Sequence, residues 1–314
     1  MHIVTGGAGF IGSNLARMLI EHDGSDVLIV DDLSDGHKFS NIADLTIVDY
    51  IDKDDFLGLL KADSSFAANI QSILHQGACS ATTEWDGRYM MRNNFSYSKE
   101  VLHYCLRRDI PFIYASSAAV YGASQDFSEI PDNELPLNVY GYSKLLFDQY
   151  VRRLKLTDKQ QVVGLRYFNV YGPREQHKGS MASVAFHFNN QLIESGELRL
   201  FEGSAGFDDG EQLRDFVYVD DVCAVNIWML QHSQVSGVFN VGSGQPQSFN
   251  DVANAVIDWH GKGSIRYIPF PKGLKNAYQS YTRADLGNLR ETGCDVDFRD
   301  VASGVKIYLS TLSG

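Results

Sequence analysis

A chain of 314 residues, 44% of them hydrophobic, can bury a large core, and its length fits two domains or one large α/β domain. Its formal net charge of −12 excludes a broad nucleic-acid footprint, which needs a concentrated basic surface, so any phosphate ligand must meet local basic residues. The four cysteines, Cys79, Cys105, Cys223 and Cys294, have no metal-ligand spacing and read as reduced, mostly buried thiols of a cytoplasmic protein; no secretory segment or bilayer-spanning apolar run is expected.

The first expected strand, HIVT, runs straight into the turn TGGAGFIGSN and then a helix. Gly6, Gly9 and Gly12 lie in that turn, where missing side chains permit a tight bend and the close approach of a diphosphate to the helix N-terminus. The spacing is GxxGxxG rather than GxGxxG, but the strand-turn-helix context is right. Asp31 ends the next strand, VLIVDD, in position to reach an adenosine ribose. Asp31 and Asp32 repel a 2′-phosphate and favour NAD, whereas Lys38 and Lys53 neutralise one and favour NADP, so local chemistry leaves the two open.

Further β-branched runs, TIVDY, SILHQ, PFIYASS and VVGLRYF, alternate with helix-length segments up to about residue 168. This is the βαβ pattern of a doubly wound parallel sheet, an α/β Rossmann architecture. Beyond it the texture changes to mixed strands, RDFVYV and GVFNVG, and helices near 181–195, 219–231, 248–259 and 298–312. The expected division is a dinucleotide-binding domain of residues 1–168 plus about 216–242, and a smaller α/β substrate-binding domain of about 169–215 plus 243–314. The glycine-rich stretch GSAGFDDGEQ, 203–212, reads as a mobile loop.

The stretch NVYGYSK, 138–144, raises a sharper question. If Asn138 caps a helix, Tyr140 and Lys144 are i and i+4 on one face and Tyr142 points elsewhere. A tyrosine that takes a proton during hydride transfer needs its pKa brought from about 10 toward 7, roughly 4 kcal/mol, and an ammonium about 4 Å away supplies a similar amount at an effective dielectric near 20. An isolated YxxxK is more often an ordinary amphipathic helix. Here YASSAAVYG ends a strand at the ligand edge of the sheet, where Ser116 or Ser117 can donate to a substrate oxygen.

The glycine turn, Ser117 in SAAVYG and the Tyr140-x-x-x-Lys144 pair resemble the extended short-chain dehydrogenase/reductase family. Longer segments, among them HQGACSATTEWDG, PLNVYGYSK, RYFNVYGPREQHKGSMASVAFH, LFEGS and YIPFP, are similar to the branch that epimerises an ADP-linked heptose at C6. The resemblance implies tightly bound NADP, with NAD the alternative, and transient oxidation of the sugar to a 6-keto intermediate that is reduced again. It also implies an ADP-heptose substrate, a role in lipopolysaccharide-core precursor synthesis in Gram-negative bacteria, and a homo-oligomer, usually a homopentamer.

By that resemblance Tyr140 is an acid/base, Ser117 its hydroxyl partner, and Lys144 the lysine that also holds the nicotinamide ribose. Lys178 becomes the second acid/base, with two other readings beside it: a phosphate anchor ahead of an N-cap at Ser180, and a solvated surface charge. For the cofactor the resemblance adds Phe10 and Ile11 to the glycines, Gln76, Gly77, Ala78, Cys79 and Ser80 after the fourth strand, and Asn93 and Val170. For the substrate it marks Asn169, Ser180, His187, Phe201, Glu202, Gly203, Ser204, Arg214 and Tyr278. The chain departs from the pattern at Asp32, where an asparagine is expected, and in the longer segment between Ser204 and Arg214. Ala118 and Ala119 stand where a sugar-nucleotide dehydratase carries its acid and base; a 4-epimerase or a non-catalytic NADP-binding scaffold are the remaining alternatives.

Overall fold

The computed structural model describes residues 1–62, 69–270 and 279–312. In chain order the first half runs β1 (His2–Thr5), α1 (Phe10–Asp23), β2 (Val27–Asp31), β3 (Asp49–Asp52), α2 (Lys53–Ala62), β4 (Ser72–His75), α3 (Gly87–Met91), α4 (Tyr97–Arg107), β5 (Phe112–Ser117), α5 (Val139–Arg152) and β6 (Val162–Tyr167). The second half continues with β7 (Asn169–Tyr171), α6 (Val184–Ser195), β8 (Glu197–Phe201), β9 (Leu213–Arg214), β10 (Phe216–Tyr218), α7 (Val219–Gln231), β11 (Gly237–Val241), β12 (Gln247–Ser248), α8 (Phe249–His260), β13 (Ser264–Ile268), α9 (Gly287–Glu291) and α10 (Val301–Leu312).

Among the described residues, seven strands form one parallel sheet in the order β11-β6-β5-β4-β1-β2-β3. The strands near its centre are covered on both faces; β2, β4 and β6 are buried at every position and mostly apolar. Edge strand β3 forms over Asp49–Asp52, later than the β-branched run that predicted it, because a strand with one neighbour tolerates polar residues. The chain leaves β1 toward β2 and β3, then returns to place β4 on the other side of β1. That reversal opens a crevice at the carboxyl ends of β1 and β4.

Apolar clusters cover both faces of the sheet. Leu15 and Leu19 of α1 pack with Val222 and Val225 of α7 on one face, and Phe56, Val101, Leu102 and Phe147 from α2, α4 and α5 cover the other. A separate cluster joins Phe188 and Leu192 of α6, Leu198 of β8, Val252 of α8 and Val305 of α10. Residues 216–242 return to the first body, since α7 lies on α1 and β11 pairs with β6. Leu289 and Cys294, which the sequence division put in the second part, are buried in the first cluster as well.

Helix α6 begins three residues later than expected. Its cap is Ser183, whose hydroxyl accepts from the Phe186 amide, whereas Ser180 lies exposed on the short 3-10 turn Gln176–Met181. The stretch 203–212 is pinned rather than loose: Gln212 Nε2 donates to the Glu202 carbonyl, Asp209 accepts from the Gly203 amide, and Asn250 donates its amide N–H to the Gly210 carbonyl. Polar side chains that close a loop on itself supply the order its glycines withhold.

Candidate active site

The crevice between β1 and β4 deepens into a cavity of about 620 Å³. Its floor is the glycine turn. Gly6 has φ +65°, and a Cβ there would lie 2.6 Å from the Gly77 nitrogen. A Cβ on Gly12 would lie 2.1 Å from the Gly6 carbonyl, so the first turn of α1 sits directly on the bend. Gly9 caps α1 without a side-chain hydrogen bond, which leaves the positive end of a 14-residue helix facing the cavity.

At one end of the cavity stand two aspartates and two lysines. Lys38 Nζ lies 2.5 Å from Asp31 Oδ1 and 2.6 Å from the Asp32 carbonyl, and Lys53 Nζ is 2.6 Å from Asp32 Oδ2. Asp31 also accepts from the amides of Ala8 and Asp32. Lys53 and its neighbouring hydrogen bonds hold Asp32 well below the usual carboxylate range. This end therefore carries two charges of each sign, where the sequence alone left attraction and repulsion unpaired.

Every residue expected to touch the cofactor lines this cavity, from the glycines through Gln76–Ser80 and Asn93 to Val170 and Lys178. A slot with a glycine floor, a helix N-terminus and a lysine pair at one end fits a nicotinamide dinucleotide. Ser117, Tyr140 and Lys144 line the same cavity.

The helix carrying Tyr140 starts as its sequence dictates. Asn138 is extended and its side chain accepts from the Gly141 amide at 2.8 Å; Tyr140 and Lys144 follow on the inward face, while Tyr142 is exposed. Gly141 permits close approach to the 3-10 turn Ala118–Val120 that follows β5, since a Cβ there would meet the Ala119 carbonyl at 2.5 Å. Lys144 Nζ donates to the Ala115 carbonyl at 2.7 Å, and burial brings its pKa down to about 8.

Burial pushes the Tyr140 phenol above the ordinary value, and a hydrogen bond with Ser117 only partly opposes this. Removing a phenolate from water outweighs that hydrogen bond, and the Lys144 ammonium is turned to a backbone carbonyl. Burial also pushes Lys178 below its ordinary value, and its ammonium lies 5.3 Å from the centre of the Phe10 ring. One cavity thus holds a phenol favoured as proton donor and an amine shifted toward proton acceptor.

The model of the NAD dependent epimerase/dehydratase family matches residues 2–242. The chain belongs to that family. A curated relative from Alkalilimnicola ehrlichii, ADP-L-glycero-D-manno-heptose-6-epimerase, is 60% identical over 313 residues, covering 100% of this chain and 98% of the relative. The solved ADP-L-glycero-D-manno-heptose-6-epimerase of Helicobacter pylori superposes with a TM-score of 0.86 at 33% identity, covering 100% of this chain and 96% of that one. The Thermus thermophilus UDP-glucose 4-epimerase, solved with NAD, superposes with a TM-score of 0.80 at 25% identity, covering 100% and 99%.

In this member of the epimerase/dehydratase family, Asn169 lies between the cavity-lining residues Phe168 and Val170, and Ser180 precedes the cavity-lining Met181. Gln212 joins two of the other expected substrate segments, donating to the Glu202 carbonyl and the Ser204 hydroxyl, and Arg214 follows it on β9. Asn169 donates its amide to the Asp215 carbonyl, which brings β7 beside the same group. Phe201 ends β8, Gly203 is held by Asp209, His187 lies in the first turns of α6, and Tyr278 lies outside the described residues.

The sequence reading missed several residues that face or frame the site. His177 and Met181 line the cavity from the loop that carries Lys178; their signal was position beside that lysine. Asn94, in a π turn after α3, accepts from the Cys79 amide and donates to the Ser143 hydroxyl, tying the loop after β4 to α5. A lone asparagine inside a helix gives no local sign of such a bridge.

Proposed function

We propose that the protein is an ADP-glyceromanno-heptose 6-epimerase that inverts C6 of ADP-D-glycero-D-manno-heptose with tightly bound NADP. The observation that carries the reading is that Tyr140 and Lys178, two proton carriers from distant segments, line one cavity with the dinucleotide-binding glycine turn. The 60% identical relative supports the substrate. Direct deprotonation at C6 would leave a carbanion with nothing to stabilise it, whereas oxidation gives a flat ketone open to reduction on either face.

Bound in the slot, an oxidised nicotinamide supplies a hydride acceptor and a positive charge that offsets the burial of a phenolate. The chain's own residues handle the proton. One of Tyr140 and Lys178 takes the proton of the C6 hydroxyl as its C–H bond breaks, and the other protonates the oxygen after the ketone has turned its opposite face. Ser117 holds that oxygen, and Lys144 orients the ribose and keeps positive charge behind Tyr140. Lys38 and Lys53 meet the 2′-phosphate, while Asn169, Ser180, His187, Glu202 and Arg214 are assigned to the ADP-heptose.

Incubating the protein with the ADP-heptose and following C6 configuration by NMR, with mass analysis of the released dinucleotide, tests the reading. Epimerisation with NADP is the expected result; a substrate returned unchanged overturns it. Among the described residues no helix is long and apolar enough to cross a membrane, which is compatible with cytoplasmic placement. Light scattering tests the proposed homopentamer.

A further inference from the structure

Asp148 extends the series Tyr140, Lys144, Asp148 along one face of α5, and its side chain is completely buried. Its carboxylate accepts from the Tyr114 hydroxyl at 3.0 Å, the Ser116 hydroxyl at 2.9 Å and Arg166 Nε at 3.0 Å. Tyr114 and Ser116 flank Ala115, whose carbonyl takes the Lys144 ammonium. Three consecutive residues at the carboxyl end of β5 are therefore tied to α5, two through Asp148 and one through Lys144. Ser117 is the next residue along.

We propose that Asp148 is a positioning residue for the reaction, serving as the buried counter-charge of the Lys144 ammonium and as the pin that fixes Ser116, and through it Ser117, against α5. The idea rests on the proposed function only for the role given to Lys144. Arg166 competes for the same carboxylate but has a second partner in Glu134, which Arg152 also holds. The titratable groups on the elements around Lys144 cannot replace Asp148. His75 on β4 is kept neutral by burial, with a pKa of about 3; Cys79 follows that strand; Tyr114 and Tyr140 are both pushed toward the protonated form. Of these groups Asp148 alone is a carboxylate, and its charge opposes the fall that burial imposes on Lys144.

Asp148→Asn by itself leaves the buried Arg166 to share Glu134 with Arg152 and can cost the fold. The test variant is therefore Asp148→Asn with Arg166→Met, which removes both charges of the pair and leaves Glu134 with Arg152. The protein, carrying its cofactor as purified, is labelled with ¹³C at lysine Cε and titrated by NMR from about pH 6 to 11, with Lys144 assigned by the signal lost in Lys144→Met. The double variant is expected to unfold at a similar temperature while the Lys144 midpoint falls by about one unit, a tenfold change in acid constant. Arg166→Lys, which keeps the buried charge but loosens its grip on Asp148, is expected to move the midpoint upward. An unmoved midpoint in whichever variant folds overturns the proposal and leaves Asp148 a structural residue. The titration uses no substrate, so inactivity on ADP-heptose sinks the proposed function without touching this result.

Discussion

The Lys178 ammonium stands 5.3 Å from the centre of the Phe10 ring, so the proposed second proton carrier lies over the glycine turn at the start of α1. Lys178→Met is expected to lower kcat by about 10² to 10⁴ fold with the cofactor retained, measured by turnover and by dinucleotide content. A raised KM with kcat intact assigns Lys178 to phosphate binding instead.

Tyr140 is hydrogen-bonded to Ser117. Tyr140→Phe deletes only the hydroxyl, so the protein is expected to fold, keep its dinucleotide and lose about 10² to 10⁴ fold in kcat. Retained epimerisation would remove Tyr140 from the chemistry.

Gly12 has no space for a side chain, since the Gly6 carbonyl lies 2.1 Å from where its Cβ would be. Gly12→Ala must push the turn away from α1, and we expect protein purified without dinucleotide and destabilised by roughly 1–3 kcal/mol. Absorbance of the purified protein and denaturant unfolding read both effects.

Buried His75 is bonded to the hydroxyls of Thr5 and Ser98, and its pKa falls to about 3. Between that value and the unfolded one, near 6.5, the unfolded chain binds the extra proton. The stability is complete above about pH 6.5 and falls with pH toward 3, by on the order of 2 kcal/mol at pH 5. Urea unfolding of wild type and His75→Gln at pH 7 and pH 5 is expected to show a smaller loss in the variant. The window of Lys144 lies on the alkaline side, where its depressed pKa makes stability rise between about pH 8 and 10.5.

Lys53 pairs with Asp32 at 2.6 Å at the end of the slot assigned to adenosine. Lys53→Ala leaves Asp32 unopposed and is expected to weaken NADP binding by roughly tenfold more than NAD binding, by titration calorimetry on stripped protein. Equal weakening of both refutes a 2′-phosphate contact at Lys53.

Much of this arrangement was legible in the chain because its signals are local. The glycine spacing, the Asn138 cap and the i, i+4 placement of Tyr140 and Lys144 depend on residues within two helical turns, and the structure has them as read. The cap of α6 was misplaced by three residues because Ser180 and Ser183 are equally good caps in sequence; Ser183 prevails by donating its hydroxyl and amide to buried Glu175. The loop 203–212 looked loose because its tethers, such as Asn250, come from far along the chain.

Sequence by itself determined the parallel sheet, the glycine turn and the placing of Tyr140 and Lys144 on one helix face, since backbone geometry and hydrophobic period are written within short windows. Only the tertiary structure decided how acidic those side chains are. Burial, the shared carboxylate of Asp148 and the pairing of Lys38 and Lys53 with Asp31 and Asp32 are sums over groups distant in sequence, and a desolvation energy does not exist until those groups have been brought together.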